Sequence, residues 1–131
     1  MIVVDSSALT AILLCESDHS EFTSAIADAE ELFIAAPNAL EFSMVAIGKF
    51  GDEGRLMAEA LITETGLTVV PFDERQLAMA LDAFLRFGRG RNHPARLNYG
   101  DCMAYALAQF LDAPLLFKGE DFSKTDIRSV L

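Results

Sequence analysis

Ile2-Val3-Val4-Asp5-Ser6-Ser7-Ala8-Leu9 opens the chain with a β-branched run that ends on a carboxylate and passes at once into a helical pattern. The succession recurs downstream. Leu32-Phe33-Ile34-Ala35, Leu67-Thr68-Val69-Val70-Pro71 and Leu115-Leu116-Phe117 read as further short buried strands, and Ile127-Arg128-Ser129-Val130 as a weaker fifth. Helical patterns fit residues 7–15, 18–31, 38–50 and 74–87. Apolar faces are marked by Leu56, Met57, Ala60 and Leu61, by Leu77, Ala80, Leu81, Phe84 and Leu85, and by Met103, Ala106, Leu107, Phe110 and Leu111. Strands alternating with helices predict an α/β sandwich around a mostly parallel sheet of four or five strands.

With 131 residues, 52% of them hydrophobic, the chain fits one domain, residues 1–131, around one core. A net charge of -10 excludes a general nucleic-acid coat protein, because the average field repels a polyanion. The charge is uneven: residues 1–48 carry no Lys or Arg, whereas Arg86, Arg89, Arg91 and Arg96 follow one another closely. Those last four lead into and along the segment 88–98, a loop rich in glycine and polar residues and long enough to recross the molecule. Cys15 and Cys102 lie in apolar helical patterns and read as reduced core residues of an intracellular protein. Met44, Met57, Met79 and Met103 read as core as well. No segment approaches the ~20 apolar residues of a membrane span, so the expected compartment is the cytoplasm.

Asp5, Glu41, Asp101 and Asp121 each stand where a strand ends or a helix begins. Each has a simple local explanation: Asn38 before Glu41 and Asn98 before Asp101 have capping-box spacing, and Asp5 and Asp121 suit helix caps. In a parallel sheet, however, strand ends and the helices leaving them share one edge, which brings such acids together. Two carboxylates about 4 to 5 Å apart repel by roughly 3 to 4 kcal/mol at an effective dielectric near 20. Protons or a divalent cation relieve that repulsion, and for a cation donors that are all oxygen favour Mg²⁺ or Mn²⁺ over Zn²⁺. Ser6 adds a hydroxyl beside Asp5. Asp73, after Val69-Val70-Pro71-Phe72, occupies an equivalent strand-end position, so spacing alone leaves the set of acids open.

Three segments narrow it. Val3-Val4-Asp5-Ser6-Ser7-Ala8-Leu9, Asn98-Tyr99-Gly100-Asp101-Cys102, and Pro114-Leu115-Leu116-Phe117-Lys118-Gly119-Glu120-Asp121-Phe122 with Thr125-Asp126 resemble the PIN-domain ribonucleases, especially the VapC toxins of bacterial toxin-antitoxin pairs. The resemblance spans essentially the whole chain, in order. It implies an α/β/α sandwich with strand order 3-2-1-4-5, a Mg²⁺- or Mn²⁺-dependent endoribonuclease, and inhibition by a cognate antitoxin. It assigns Asp5, Glu41, Asp101 and Asp121 as catalytic metal ligands and leaves Asp73 structural; Glu120 and Asp126 flank the fourth position. Arg89, Arg91 and Arg96, ahead of Arg86, are the expected RNA guides in an otherwise acidic surface. His19 and His93 have no ligand or triad spacing, and Tyr99 has the place of a base-stacking or a packing residue. Helices apolar over wide arcs leave area for a homodimer partner or the antitoxin.

Two other classes fit parts of the pattern. A receiver-type Mg²⁺-binding signalling domain is also small, acidic and α/β; Asp73 and Lys118 imitate its phospho-acceptor and late lysine, but its early acidic pair is missing. A catalytically silent binding module of the same fold is the other, and the four acids count against it.

Overall fold

The computed structural model describes residues 1–131. Strands β1 (Ile2–Val4), β2 (Leu32–Ala35), β3 (Thr68–Val70) and β4 (Leu115–Leu116) form one parallel sheet in the order β3-β2-β1-β4. Six helices surround it: α1 (Ser6–Leu13), α2 (His19–Asp28), α3 (Ala36–Phe50), α4 (Asp52–Thr65), α5 (Glu74–Phe87) and α6 (Tyr99–Leu111). The expected fifth strand is reduced to a single parallel bridge, Leu115 to Ser129, on the outer side of β4.

Successive strand residues face opposite ways, and both faces are covered. Val3 and Leu115 join a core with Ala80, Ala83, Leu97 and Leu107 from the α5 and α6 side. Ile2, Val4, Ile34 and Leu116 join a second with Leu9, Phe22, Phe42 and Ala58 from α1 to α4. Near-continuous apolar strands are what a sheet buried on both faces requires.

Several helix readings are corrected. On α5 the buried residues are Gln76, Ala80, Ala83 and Phe87, while Leu77, Leu81, Phe84 and Leu85 face outward, Leu81 being 57% exposed. On α4, Gly54 and Ala58 go inward and Leu56 points out. Small residues let these helices lie close to their neighbours, so the bulky side chains of the amphipathic pattern are turned away from the core. Met44 is exposed and Met103 buried, with Met57 and Met79 half-buried. Cys15 is also exposed; its left-handed backbone (φ 50°) falls just beyond α1 and turns it out of the apolar face. The 88–98 loop does not recross the molecule. Arg89 N donates to Leu97 O and Leu97 N to Phe87 O, both at 2.9 Å, so the loop is closed at its base.

Gly54 is where α4 meets α3: a Cβ there would overlap the Ala46 carbonyl and stand 2.7 Å from the Ile47 nitrogen, both backbone atoms that have no freedom to yield. Gly48, on the exposed side of α3, has open space around it. Gly54→Ala is therefore expected to lower stability by about 1–3 kcal/mol, and Gly48→Ala to raise it by up to about 1 kcal/mol. Urea titrations of both variants check the contrast.

Candidate active site

Asp5 follows β1 directly, and its backbone N extends the ladder by donating to Leu116 O at 2.9 Å. It is the N-cap of α1: Oδ2 accepts from Ser7 N at 3.0 Å and from Ser7 Oγ at 2.5 Å. The Ser7 hydroxyl in turn accepts from Lys118 N at 3.0 Å, tying Asp5 to the segment after β4 that carries Asp121. The other oxygen, Oδ1, is buried without a partner. Burial pushes the Asp5 carboxyl up to about 7, the Ser7 hydrogen bonds oppose this, and the charges of Asp101 and Glu41 add to it.

Glu41 comes from α3 and lies against the first turn of α6. Its Oε1 accepts from Ser6 Oγ at 2.5 Å, and a Cβ on Gly100 would overlap the carboxylate, whose carbon stands 2.9 Å from it. Only glycine at that position admits the acid. Ser6 thus serves Glu41 rather than Asp5, because the Asp5 oxygen that caps α1 is taken by Ser7.

Asp101 stands at the third position of α6 in a complete capping box: Asn98 Oδ1 accepts from Asp101 N at 2.9 Å, and Asp101 Oδ2 accepts from Asn98 N at 3.0 Å. Burial raises its carboxyl to about 6; the Asn98 backbone opposes this, Asp121 and Glu41 add to it, and Arg89 opposes it. Asp121 is exposed and precedes the 3-10 turn Phe122–Lys124 without capping it by its side chain. The four acids therefore share one electrostatic neighbourhood, at the partial positive end of the α6 dipole. Neighbouring acids have other duties. Asp126 accepts from Tyr105 OH at 2.6 Å and pairs with Arg86 at 3.0 Å, and Asp73 caps α5 through Gln76 N. Glu120 O accepts from Ser123, and the Glu120 side chain is exposed.

As the side chains stand, no group of three or more His, Cys, Asp or Glu residues is arranged to hold a metal ion. Asp5, Glu41 and Asp101 each use one oxygen on a local donor. A cation would be met by the buried, unpartnered Asp5 Oδ1 and by an all-oxygen donor set, which suits a hard divalent ion.

Arg89, Arg91 and Arg96 are exposed and form no ion pair, whereas Arg86 is held by Asp82 and Asp126 and lies 4.6 Å from the Phe87 ring centroid. Tyr99 does not pack: it is 78% exposed and shares an open pocket of about 530 Å³ with Pro37, Leu40, Glu41, Met44 and Val45. The Lys118 ammonium pairs with Glu16 at 2.7 Å and Asp18 at 3.0 Å and forms no ion pair with any of the four acids. Ser7 was missed by sequence reasoning as the residue that holds Asp5; the signal for it lay in the N-cap geometry of Asp5.

The PIN domain family profile matches residues 2–128. The curated Ribonuclease VapC28 of Mycobacterium tuberculosis is 40% identical over 129 residues, covering 98% of this chain and 97% of that one. The crystal structure of Mycobacterium tuberculosis VapC20, described as a sarcin-ricin loop cleaving toxin, superposes with a TM-score of 0.78 at 16% identity over 97% of this chain and 96% of that one. A toxin-antitoxin complex from Klebsiella pneumoniae gives 0.70 at 11% identity over 94% and 91%. The chain belongs to the PIN-domain family and, within it, groups with the VapC ribonucleases.

Asp5 titrates near 7 in the fold and near its ordinary 3.8 when unfolded, so the folded chain holds more protons between those values. The Asp5 contribution to stability in chelator accordingly falls as pH rises through that window and levels off above it, a change on the order of a few kcal/mol, and Asp101, raised to about 6, acts in the same direction. Asp5→Asn, which still caps α1, is expected to raise the melting temperature at pH 8 by roughly 5–10 °C and by much less at pH 5. An equal gain at both pH values would trace the effect to something other than ionisation.

Proposed function

We propose that in this VapC-type PIN-domain protein Asp5, Glu41, Asp101 and Asp121 form the centre that hydrolyses RNA. The chain is an endoribonuclease, the toxin component of a toxin-antitoxin pair. The observation that carries the site assignment is the buried, unpartnered Asp5 Oδ1 among the charges of Glu41 and Asp101, with the charge of Asp121 acting in turn on Asp101. Asp5, Asp101 and Asp121, with Glu41, would hold Mg²⁺, for which Mn²⁺ can substitute. When bound, such an ion supplies Lewis-acid charge at a phosphodiester.

The chain's own residues do the rest. Ser7 fixes one oxygen of Asp5 and leaves the other available, and Ser6 does the same for Glu41. The capping box holds Asp101 at the start of α6. Arg89 lies close enough to act on the Asp101 charge, and Arg91 and Arg96, exposed and unpaired on the same loop, offer further cations to a phosphate backbone. The receiver-type alternative has no support: Asp73 is a helix cap and Lys118 is bound to Glu16 and Asp18. The four acids likewise speak against a silent binding module.

Two apolar surfaces match the two protein partners. Leu77, Leu81, Phe84 and Leu85 line one side of α5 at spacings of four, three and one residues, a stripe suited to a second copy of the chain in a homodimer. The pocket between α3 and Tyr99 has Glu41 in its wall, so an antitoxin segment seated there brings a basic side chain to the acids, where a guanidinium pairs with carboxylates. No helix is long and apolar enough to cross a membrane, and the cytoplasm remains the proposed compartment.

Asp101→Asn is expected to keep RNA affinity and lose cleavage of total cellular RNA by orders of magnitude in Mn²⁺. Replacing Arg89, Arg91 and Arg96 together by Gln should do the opposite, weakening binding and reducing the salt slope by roughly 0.7 for each phosphate no longer engaged. Filter binding at several salt concentrations and a gel cleavage assay read both. Cleavage by Asp101→Asn at the parent rate would refute the assignment, and an unchanged salt slope in the triple variant would remove the arginine loop from the RNA path.

A further inference from the structure

Four polar side chains are buried in this protein: Asp5, Ser6, Asn38 and Gln76. Asp5 and Ser6 belong to the acidic centre, and Gln76 Nε2 satisfies Pro71 O at 2.8 Å, closing the turn between β3 and α5. Asn38 has no such local task. Although its spacing to Glu41 resembles a capping box, α3 already begins at Ala36, with Ala35 as N-cap, so Asn38 lies inside the helix. It is fully buried, and its Oδ1 has no partner. A buried amide that leaves its acceptor unmet is unfavourable relative to an apolar side chain of similar shape.

What the amide does is join two helices. Nδ2 donates to Gly100 O at 3.0 Å and reaches Glu41 Oε1 at 3.4 Å. Three residues apart, Asn38 and Glu41 lie on the same face of α3, the face turned toward α6. Glu41 Oε1 thereby has donors from Ser6 and Asn38, while Oε2 accepts no hydrogen bond within the chain and lies against Gly100, the residue before Asp101. With two N–H bonds on one atom, the amide nitrogen can hold a carbonyl of α6 and a carboxylate of α3 at once.

We propose that Asn38 is a positioning residue for the acidic centre: by tying the Gly100 carbonyl to α3 it sets the Glu41 carboxylate over the first turn of α6, with Oε2 free for a ligand. The inference rests on the reading of Glu41 and Asp101 as parts of that centre. It goes beyond that reading in assigning a role to a residue that touches neither substrate nor cation.

Asn38→Leu keeps the shape and burial and removes the donor. It is expected to melt no lower than a few degrees below the parent, to lose at least about tenfold in kcat with KM for RNA unchanged, and to bind Mn²⁺ several-fold more weakly by titration calorimetry. Gly100→Ala approaches the same arrangement from the opposite side. Glu41 is a flexible side chain able to swing away from an added methyl, so this variant should fold and show the same loss of Mn²⁺ affinity and kcat. Parent-like kcat and Mn²⁺ affinity in either folded variant would reduce Asn38 to a helix-packing residue and overturn the proposal. Glu41→Gln separates the two levels. If it cleaves like the parent, the reading of the centre fails; if it is inactive while Asn38→Leu and Gly100→Ala remain parent-like, only the positioning role fails.

Discussion

A carboxylate at the end of a central strand, buried with one oxygen unpaired, is the constraint around which this protein is arranged. Asp5 cannot move into solvent, because its backbone is held in the ladder to Leu116 and its side chain caps α1 through Ser7. An ionised carboxylate in such a place is unfavourable unless something charged or polar meets it. The Ser7 hydroxyl, itself oriented by Lys118 N, meets one oxygen and leaves Oδ1 as a fixed demand on whatever enters the site. Lys118 is anchored in turn by Glu16 and Asp18, so α1, the turn into α2 and the end of β4 are joined within a few residues of that carboxylate.

The first turn of α6 is the opposing wall. Gly100 lets Glu41 approach the helix, Asn98 and Asp101 cap one another, and the free N–H groups of a helix start favour negative charge there. Like charges would otherwise push these elements apart. The helix end therefore offsets part of the repulsion that the acids create, and local donors take one oxygen of each of the three most enclosed acids. The result is a centre in which two carboxyls, Asp5 and Asp101, sit well above their ordinary range.

Much of this was legible in the sequence. Short apolar runs marked every strand, and their alternation with helices gave a mostly parallel sheet, while the order of its strands came only from the resemblance to the PIN-domain ribonucleases. Asn98 and Asp101 announced their capping box by spacing alone. What periodicity does not reveal is the direction of an amphipathic face. On α5 the bulky apolar stripe and the small buried stripe of Ala80 and Ala83 are both regular, and the larger residues drew the eye to the side that faces out. Nor does spacing distinguish Ser6 from Ser7, because which hydroxyl reaches which acid depends on the cap geometry of Asp5. Asn38 was hidden by a false capping box, since a helix begun at Ala36 swallows the residue that spacing made its cap.

That misdirection has a physical meaning of its own. A helix that meets the core through alanines, and presents leucines and phenylalanine to the outside, gains little from its long apolar side chains within one copy of the chain. The same holds for Leu40 and Met44 on α3 beside Glu41. Exposed stripes of this size are costly in an isolated molecule and favourable only once covered. The fold and the acidic centre can thus be accounted for within one chain, whereas the outer faces of α3 and α5 leave apolar side chains unburied and are the surfaces on which the proposed partners would gain most. The α3 face shares its pocket with Glu41, so the antitoxin proposed for it would cover that acid as it buried Leu40 and Met44.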